Sequence, residues 1–118
     1  MKKLNLLLFF LSAFLFANAQ EAPFFKEIQS FKKKDSIQFP PKKAVLFVGS
    51  STFTNWKDVQ SYFPNHVIIN RGFGGSSLPH VINYANDIIL PYEAKQVVIY
   101  CGENDFTGNA SCTPCVAF

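Results

Sequence analysis

Residues 45–56 read VLFVGSSTFTNW and carry a clear strand signal. The continuous apolar run over 44–48 is typical of a strand that is buried on both faces of a parallel sheet. The run ends at Gly49 and is followed directly by two small hydroxyl residues, Ser50 and Ser51. Because serine and glycine favour turns, the sequence predicts a sharp turn that leaves a serine at the edge of the sheet.

Working outward from this stretch, strand and helix signals alternate. The predicted elements are a helix over 54–63, a strand over 66–70, a helix over 78–89 and a strand over 96–101. Ser77 is placed to cap the second of these helices, and prolines 64 and 91 interrupt the helical pattern. The order favours an α/β domain with a parallel sheet and right-handed crossovers.

The N-terminal part of the chain divides into two segments. Residues 1–19 combine Lys2 and Lys3, an apolar run and the small-x-small sequence Ala17-Asn18-Ala19, which is the pattern of a secretory signal peptide. The alternative is a membrane anchor, but the apolar run is short for a span. We expect cleavage after Ala19, a secreted or periplasmic product, and no stable membrane insertion afterwards.

Residues 20–43 form a linker that contains a short helix. Phe24, Ile28 and Phe31 recur at helical spacing, which predicts an amphipathic helix that ends near Lys34. Residues 44–118 then form the remaining domain.

Charge and cysteine content exclude several classes of function. Without Lys2 and Lys3 the formal charge falls from +3 to +1, too small a basic excess for nucleic-acid binding. Cys101 ends an apolar strand and is interpreted as a buried small hydrophobe. Cys112 and Cys115 are either a local disulfide or two free thiols. A zinc site would need four ligands, and the two histidines lie far upstream, so no metal is expected.

Each predicted strand is followed by a polar loop that contains glycine, and parallel topology brings the three loops to one edge of the sheet, where ligands bind. The loops are GSST (49–52), RGFGGSS (71–77) and GENDFTG (102–108). The plain alternative is that their serines, asparagine and aspartate only make turns and caps, with Asp105 orienting a loop or capping a helix. A dinucleotide fingerprint would need glycine at Ser77, so no nucleotide cofactor is expected.

Together VGSS (48–51), NRGFGGS (70–76) and YCGENDF (100–106) resemble the first three conserved blocks of the SGNH/GDSL-type serine esterases and lipases. The resemblance implies a flavodoxin-like sheet of order 2-1-3-4-5 with helices on both faces. It also implies hydrolysis of carboxylic esters, such as acetylated sugars or lipid esters, without a cofactor. Ser51 matches the nucleophile, whose own N–H is one oxyanion donor, and Gly75 and Asn104 match the other two donors.

Two departures from the family pattern bear on activity. The first block usually reads Gly-Asp-Ser, whereas this chain has Ser50 before Ser51. The chain also lacks the Asp-x-x-His block that supplies the family's general base. His66 is expected at the opposite end of its strand from the loops, and His80 has no evident carboxylate to orient it.

The expectation from these departures is an incomplete hydrolase domain, truncated after the third strand. That strand would then be a bare edge that favours self-association. The alternative is a non-catalytic exported module, or a relic of the same fold, that binds a glycan or an acyl group.

Overall fold

Val45–Gly49 forms the central strand of a three-stranded parallel sheet in the computed structural model, which describes residues 21–106. The elements run in the order α1 (Phe25–Ile37), β1 (Val45–Gly49), α2 (Ser51–Asn55), α3 (Val59–Tyr62), β2 (Ile68–Gly72), α4 (Leu78–Asn83), α5 (Ala85–Ile88) and β3 (Gln96–Tyr100), with 3₁₀ turns at Leu90–Tyr92 and Glu103–Phe106. The predicted leader and the Cys112 and Cys115 pair lie outside the described residues.

The strand order is β2-β1-β3, with both neighbours parallel to β1. Every residue of β1 is buried, as its continuous apolar sequence predicts. This confirms the predicted α/β class with a parallel sheet. Within residues 21–106, no helix is long and apolar enough to cross a membrane.

Helices cover both faces of the sheet. On one face α1, α4 and α5 contribute Ile28, Val81 and Ile88 to a core that includes Leu46 and Val48 of β1. On the other face α2 and α3 pack on the alternate residues of β1, and the buried members of that cluster are Val45, Phe47, Phe53 and Val59. Because side chains alternate between the two faces of β1, this one strand contributes residues to both hydrophobic cores.

The N-terminal helix is longer than predicted, because α1 continues to Ile37 rather than ending near Lys34. The predicted apolar face is correct, since Ile28 is buried and Phe24 and Phe31 pack against the same core. The helix is therefore part of the sandwich that supports the sheet.

The prediction of two long helices after β1 and β2 was wrong, because each is broken in two. The first break follows α2, where the Asn70 side chain donates to the carbonyls of Phe53 (2.7 Å) and Trp56 (3.3 Å). The second break is at Tyr84, whose hydroxyl donates to the Pro23 carbonyl at 2.6 Å. At the first break a tertiary contact thus overrides the helical periodicity.

Two boundaries differ at the edge strands. The second strand is Ile68–Gly72 rather than 66–70, so Arg71 and Gly72 belong to the sheet and not to the loop. On β3, Val97 and Ile99 are 39% and 50% exposed, which leaves an apolar edge strand among the described residues. Cys101, predicted to be buried, is only partly buried against the core.

Candidate active site

The three strands end level with one another. Gly49 pairs with Gly72 on one side and with Tyr100 on the other, so the loops after β1, β2 and β3 leave the sheet side by side. This is the edge at which parallel α/β sheets bind ligands. The convergence of these loops, predicted from the sequence, follows directly from this register.

Gly49 makes the turn between β1 and the serines. Its φ is +148°, and a Cβ built on it would lie 1.9 Å from the carbonyl oxygen of Tyr100. The backbone on either side is bonded to both neighbours, since the Ser50 amide donates to Tyr100 O (2.9 Å) and the Phe73 amide donates to Gly49 O (2.8 Å). Only glycine fits this position.

Ser51 is exposed and is the first residue of α2. The helix is short, and its first turn is closed by the Ser50 carbonyl, which accepts the amides of Phe53 (3.2 Å) and Thr54 (3.1 Å). A residue at the start of a helix has a backbone N–H without a partner inside the helix. The structure thus presents the Ser51 side chain to solvent at the edge of the sheet.

The loop that contains Gly74 and Gly75 (the glycine loop) lies against the turn at residues 49–51 (the Ser51 turn). A Cβ on Gly74 would be 4.0 Å from the Ser51 Cα and 3.8 Å from Thr54 Oγ1. Gly75 follows with φ +82°, a left-handed conformation that favours glycine. Below the loop, a Cβ on Gly72 would come within 2.6 Å of the Thr54 amide nitrogen, so the missing side chain lets α2 pack on β2.

The third loop is bonded to the glycine loop. The Asn104 side-chain amide donates to the Ser76 carbonyl at 3.0 Å. Both Asp105 carboxylate oxygens lie 3.3 Å from the Leu78 amide at the start of α4. Asp105 therefore has the capping role that the sequence allowed, and it attaches the loop after β3 to the helix after β2.

The structure accordingly brings the Ser51 turn against the glycine loop, and attaches Asn104 to the residue that follows Gly75. The meeting of the Ser51 amide, the Gly75 amide and the Asn104 side chain around one oxygen atom stays a prediction.

Both histidines have positions that suit structural roles. His66 is exposed before β2, at the end of the strand away from the loops, as expected. His80 lies in the first turn of α4, where its Nδ1 accepts the Ser77 amide (3.1 Å) and lies 2.7 Å from Ser77 Oγ. The Phe24 ring packs edge-on against His80, with ring centroids 4.8 Å apart. These contacts use His80 to hold the start of the helix.

Sequence reasoning missed Asn70 and Arg71, two residues of β2 whose side chains fix the elements around the candidate site. Asn70 fastens the end of α2, as described above, and its Oδ1 accepts the Gly72 amide at 2.9 Å. Arg71 is 11% exposed and reaches the other face, where it donates to Asp35 (2.5 Å) and to the Tyr92 hydroxyl (2.6 Å). Its position between an aliphatic strand and a glycine motif was the available signal, since a charge there needs a buried partner.

Ionisable groups around the edge have raised pKa values with local causes. Burial, followed by the hydrogen bond to Asp35, raises the pKa of Tyr92 to about 12. The hydrogen bond from Tyr100 to Glu103 raises the pKa of the exposed Tyr100 phenol. Burial raises the pKa of the Cys101 thiol, so it is poorly suited to act as a thiolate nucleophile. Within residues 21–106, no three metal-ligating side chains form a cluster.

A solved structure from Streptococcus pneumoniae, provisionally named a platelet activating factor, is similar to this chain with a TM-score of 0.54 and 19% sequence identity. The match covers 68% of this chain and 37% of that one, so the chain spans little more than a third of its length. No family model matches the sequence, and no curated protein matches it significantly. At this identity the likeness establishes a shared fold.

Proposed function

We propose that this chain carries the nucleophile and oxyanion half of an SGNH-type serine hydrolase that acts on carboxylic esters. Ser51 is the nucleophile, and the amides of Ser51 and Gly75 and the Asn104 side chain are the oxyanion donors. The observation that carries the proposal is the seating of the glycine loop on the Ser51 turn, where a Gly74 Cβ would lie 4.0 Å from the Ser51 Cα.

Further support comes from the attachment of the third loop and from the structural neighbour. The Asn104 side-chain amide is bonded to the carbonyl of Ser76, the residue next to Gly75, so it already lies at the loop that carries the second proposed donor. The neighbour from Streptococcus pneumoniae supports the fold that brings these loops together.

In the proposed reaction, Ser51 Oγ attacks the ester carbonyl carbon while its proton passes to a general base. The carbonyl oxygen becomes an oxyanion held by the three donors, and losing one such donor typically costs about 2.7–4 kcal/mol of transition-state stabilisation. The C–O bond of the ester then breaks, the alcohol takes the proton from the base, and water hydrolyses the acyl-serine.

The base is the part of this mechanism that residues 21–106 supply least well. The sequence contains only His66 and His80, and His80 is engaged with Ser77. In our proposal the base is a histidine from outside these 118 residues, and the chain by itself hydrolyses para-nitrophenyl acetate slowly or not at all.

We also propose that the protein acts after export, on an acetylated sugar or a lipid ester. The support for export is the leader pattern of residues 1–19, and the substrate classes are those that the resemblance of the three sequence blocks implies.

The test is covalent labelling of the purified chain by a fluorophosphonate, read by mass spectrometry. Added imidazole stands in for the base and restores part of the about 10²–10⁴-fold that a positioned base contributes. We expect an imidazole-dependent adduct on Ser51 that is absent in Ser51→Ala. The matched control is Ser61→Ala, which removes another exposed serine and leaves the adduct unchanged.

An adduct spread over several exposed serines would overturn the proposal, as would the absence of any adduct on Ser51. The second of these results, together with binding of a sugar or an acyl ligand, would favour the alternative of a binding module. The observation that favours this alternative is the contact of His80 with Ser77, because a histidine held in this way is poorly placed to act as the general base.

A further inference from the structure

Two serine hydroxyls are buried at the edge of the sheet without a hydrogen-bond partner among the described residues. Ser50 and Ser76 are both 0% exposed, and neither Oγ is bonded, so the two hydroxyls do not bond each other. A buried hydroxyl without a partner is costly, and native structures rarely leave one unsatisfied. The two hydroxyls therefore need a partner that the side chains of residues 21–106 do not supply.

These serines stand next to the proposed oxyanion donors. Ser50 directly precedes Ser51, and Ser76 directly follows Gly75. Their backbones are already fixed, because the Ser50 amide donates to Tyr100 O (2.9 Å) and the Ser76 carbonyl accepts the Asn104 amide (3.0 Å). Only the hydroxyls are left to be satisfied.

The two hydroxyls belong to loops that are bonded to each other. Phe73 links them, since its amide donates to Gly49 O beside Ser50 (2.8 Å) and its carbonyl accepts the Ser76 amide (3.3 Å). A hydroxyl both donates and accepts, so two of them can share one small polar molecule. A buried water is the smallest such molecule, and it typically makes about three bonds to groups of this kind.

We propose that Ser50 and Ser76 bind one buried water between the Ser51 turn and the glycine loop. The water bridges the two hydroxyls and fixes the spacing of the loops, which makes both serines positioning residues for the amides of Ser51 and Gly75. The positioning role rests on the proposed function, whereas the water site does not.

The first test is thermal unfolding of Ser50→Ala, Ser76→Ala and the double variant. Each single substitution removes one bond to the water and is expected to lower the melting temperature by about 4–8 °C, the shift for a domain of this size that loses one buried hydrogen bond. The double variant is expected to melt close to the single variants, because the first substitution already loses the water. If the two hydroxyls have no partner, removing one of them should leave the melting temperature unchanged or raise it. Either result would overturn the proposed water site. Additive losses would show that no water is shared.

The second test needs no variant and also applies if the alanine proteins do not fold. A high-resolution crystal structure of the wild-type chain is expected to show one ordered water within hydrogen-bond distance of both Oγ atoms. A side chain or a backbone group in that place would overturn the proposal, as would two separate waters.

The positioning role has its own readout. At a temperature well below unfolding, imidazole-dependent labelling of Ser51 is expected to slow by about 10-fold in Ser76→Ala, less than the 10²–10³-fold of losing a donor outright. Ser61→Ala is the control. Labelling at the wild-type rate would reject the positioning role. If wild-type Ser51 does not label at all, the proposed function fails, while melting temperatures and the crystal structure still decide the water site.

Discussion

Replacing Gly49 by alanine is expected to destabilise the protein severely, because the new methyl group meets backbone on the neighbouring strand. The Cβ would lie 1.9 Å from the oxygen, 2.6 Å from the carbon and 3.1 Å from the nitrogen of Tyr100. No rotamer change relieves a backbone clash, so β1 and β3 must separate at this point. The separation breaks the bond from the Ser50 amide to Tyr100 O.

The magnitude follows from three effects. A non-glycine residue held at a φ of +148° costs about 1–3 kcal/mol in strain. Overpacking adds about 1–3 kcal/mol, and the lost backbone hydrogen bond adds about 0.5–1.5 kcal/mol. We expect a loss of about 4 kcal/mol, which is a large fraction of the about 5–15 kcal/mol that stabilises an ordinary domain.

The assay is urea denaturation followed by the fluorescence of Trp56, the single tryptophan, which packs against Phe47 with ring centroids 6.1 Å apart. Gly74→Ala is the matched control. Its Cβ would meet nothing closer than 3.8 Å and its φ is ordinary, so its stability should stay within about 1 kcal/mol of wild type. A Gly49→Ala protein as stable as Gly74→Ala would refute the reasoning.

Three further predictions concern the supports of the site. Asp35→Ala leaves the largely buried Arg71 guanidinium without its carboxylate partner and should cost about 3–5 kcal/mol in urea denaturation, whereas exchanging both residues for apolar ones should cost much less. Because the pKa of Tyr92 is raised to about 12, its contribution to stability is complete below its ordinary pKa near 10 and is lost as the pH rises through about 12. Stability measured from pH 9 to 12 should therefore fall less in Tyr92→Phe than in wild type. Ile99→Lys should reduce self-association measured by light scattering, because a charge blunts the exposed apolar β3 edge, and an equal effect of Leu90→Lys, off the strand, would contradict this.

The sheet could be predicted from the sequence because each of its strands contains an apolar run. Burial on both faces leaves few alternatives for a segment such as 44–48, and two long crossovers restrict the pairing to parallel. The predicted positions of the three loops then followed from topology. The strand boundaries were predicted less accurately, since β2 lies two residues further along the chain and includes Arg71 and Gly72.

The break after α2 could not be predicted, because its cause lies far away in the sequence. Asn70 ends α2 by donating to the carbonyls of Phe53 and Trp56, 17 and 14 residues earlier. Periodicity reports which face of a segment is apolar, and it contains no information about a distant amide that competes for the helix carbonyls.

The residues 70–72 explain why the short motifs alone did not define the site. Asn70 holds the helix that carries Ser51, Arg71 holds α1 on the opposite face, and Gly72 lets α2 approach β2. The glycine loop leaves the sheet at the next residue, so both of its neighbours are fixed before it begins. The proposed oxyanion site needs donors held in place before the substrate arrives. In this fold the end of β2 supplies that rigidity, which makes the residues before the glycine motif as important to the geometry as the glycines themselves.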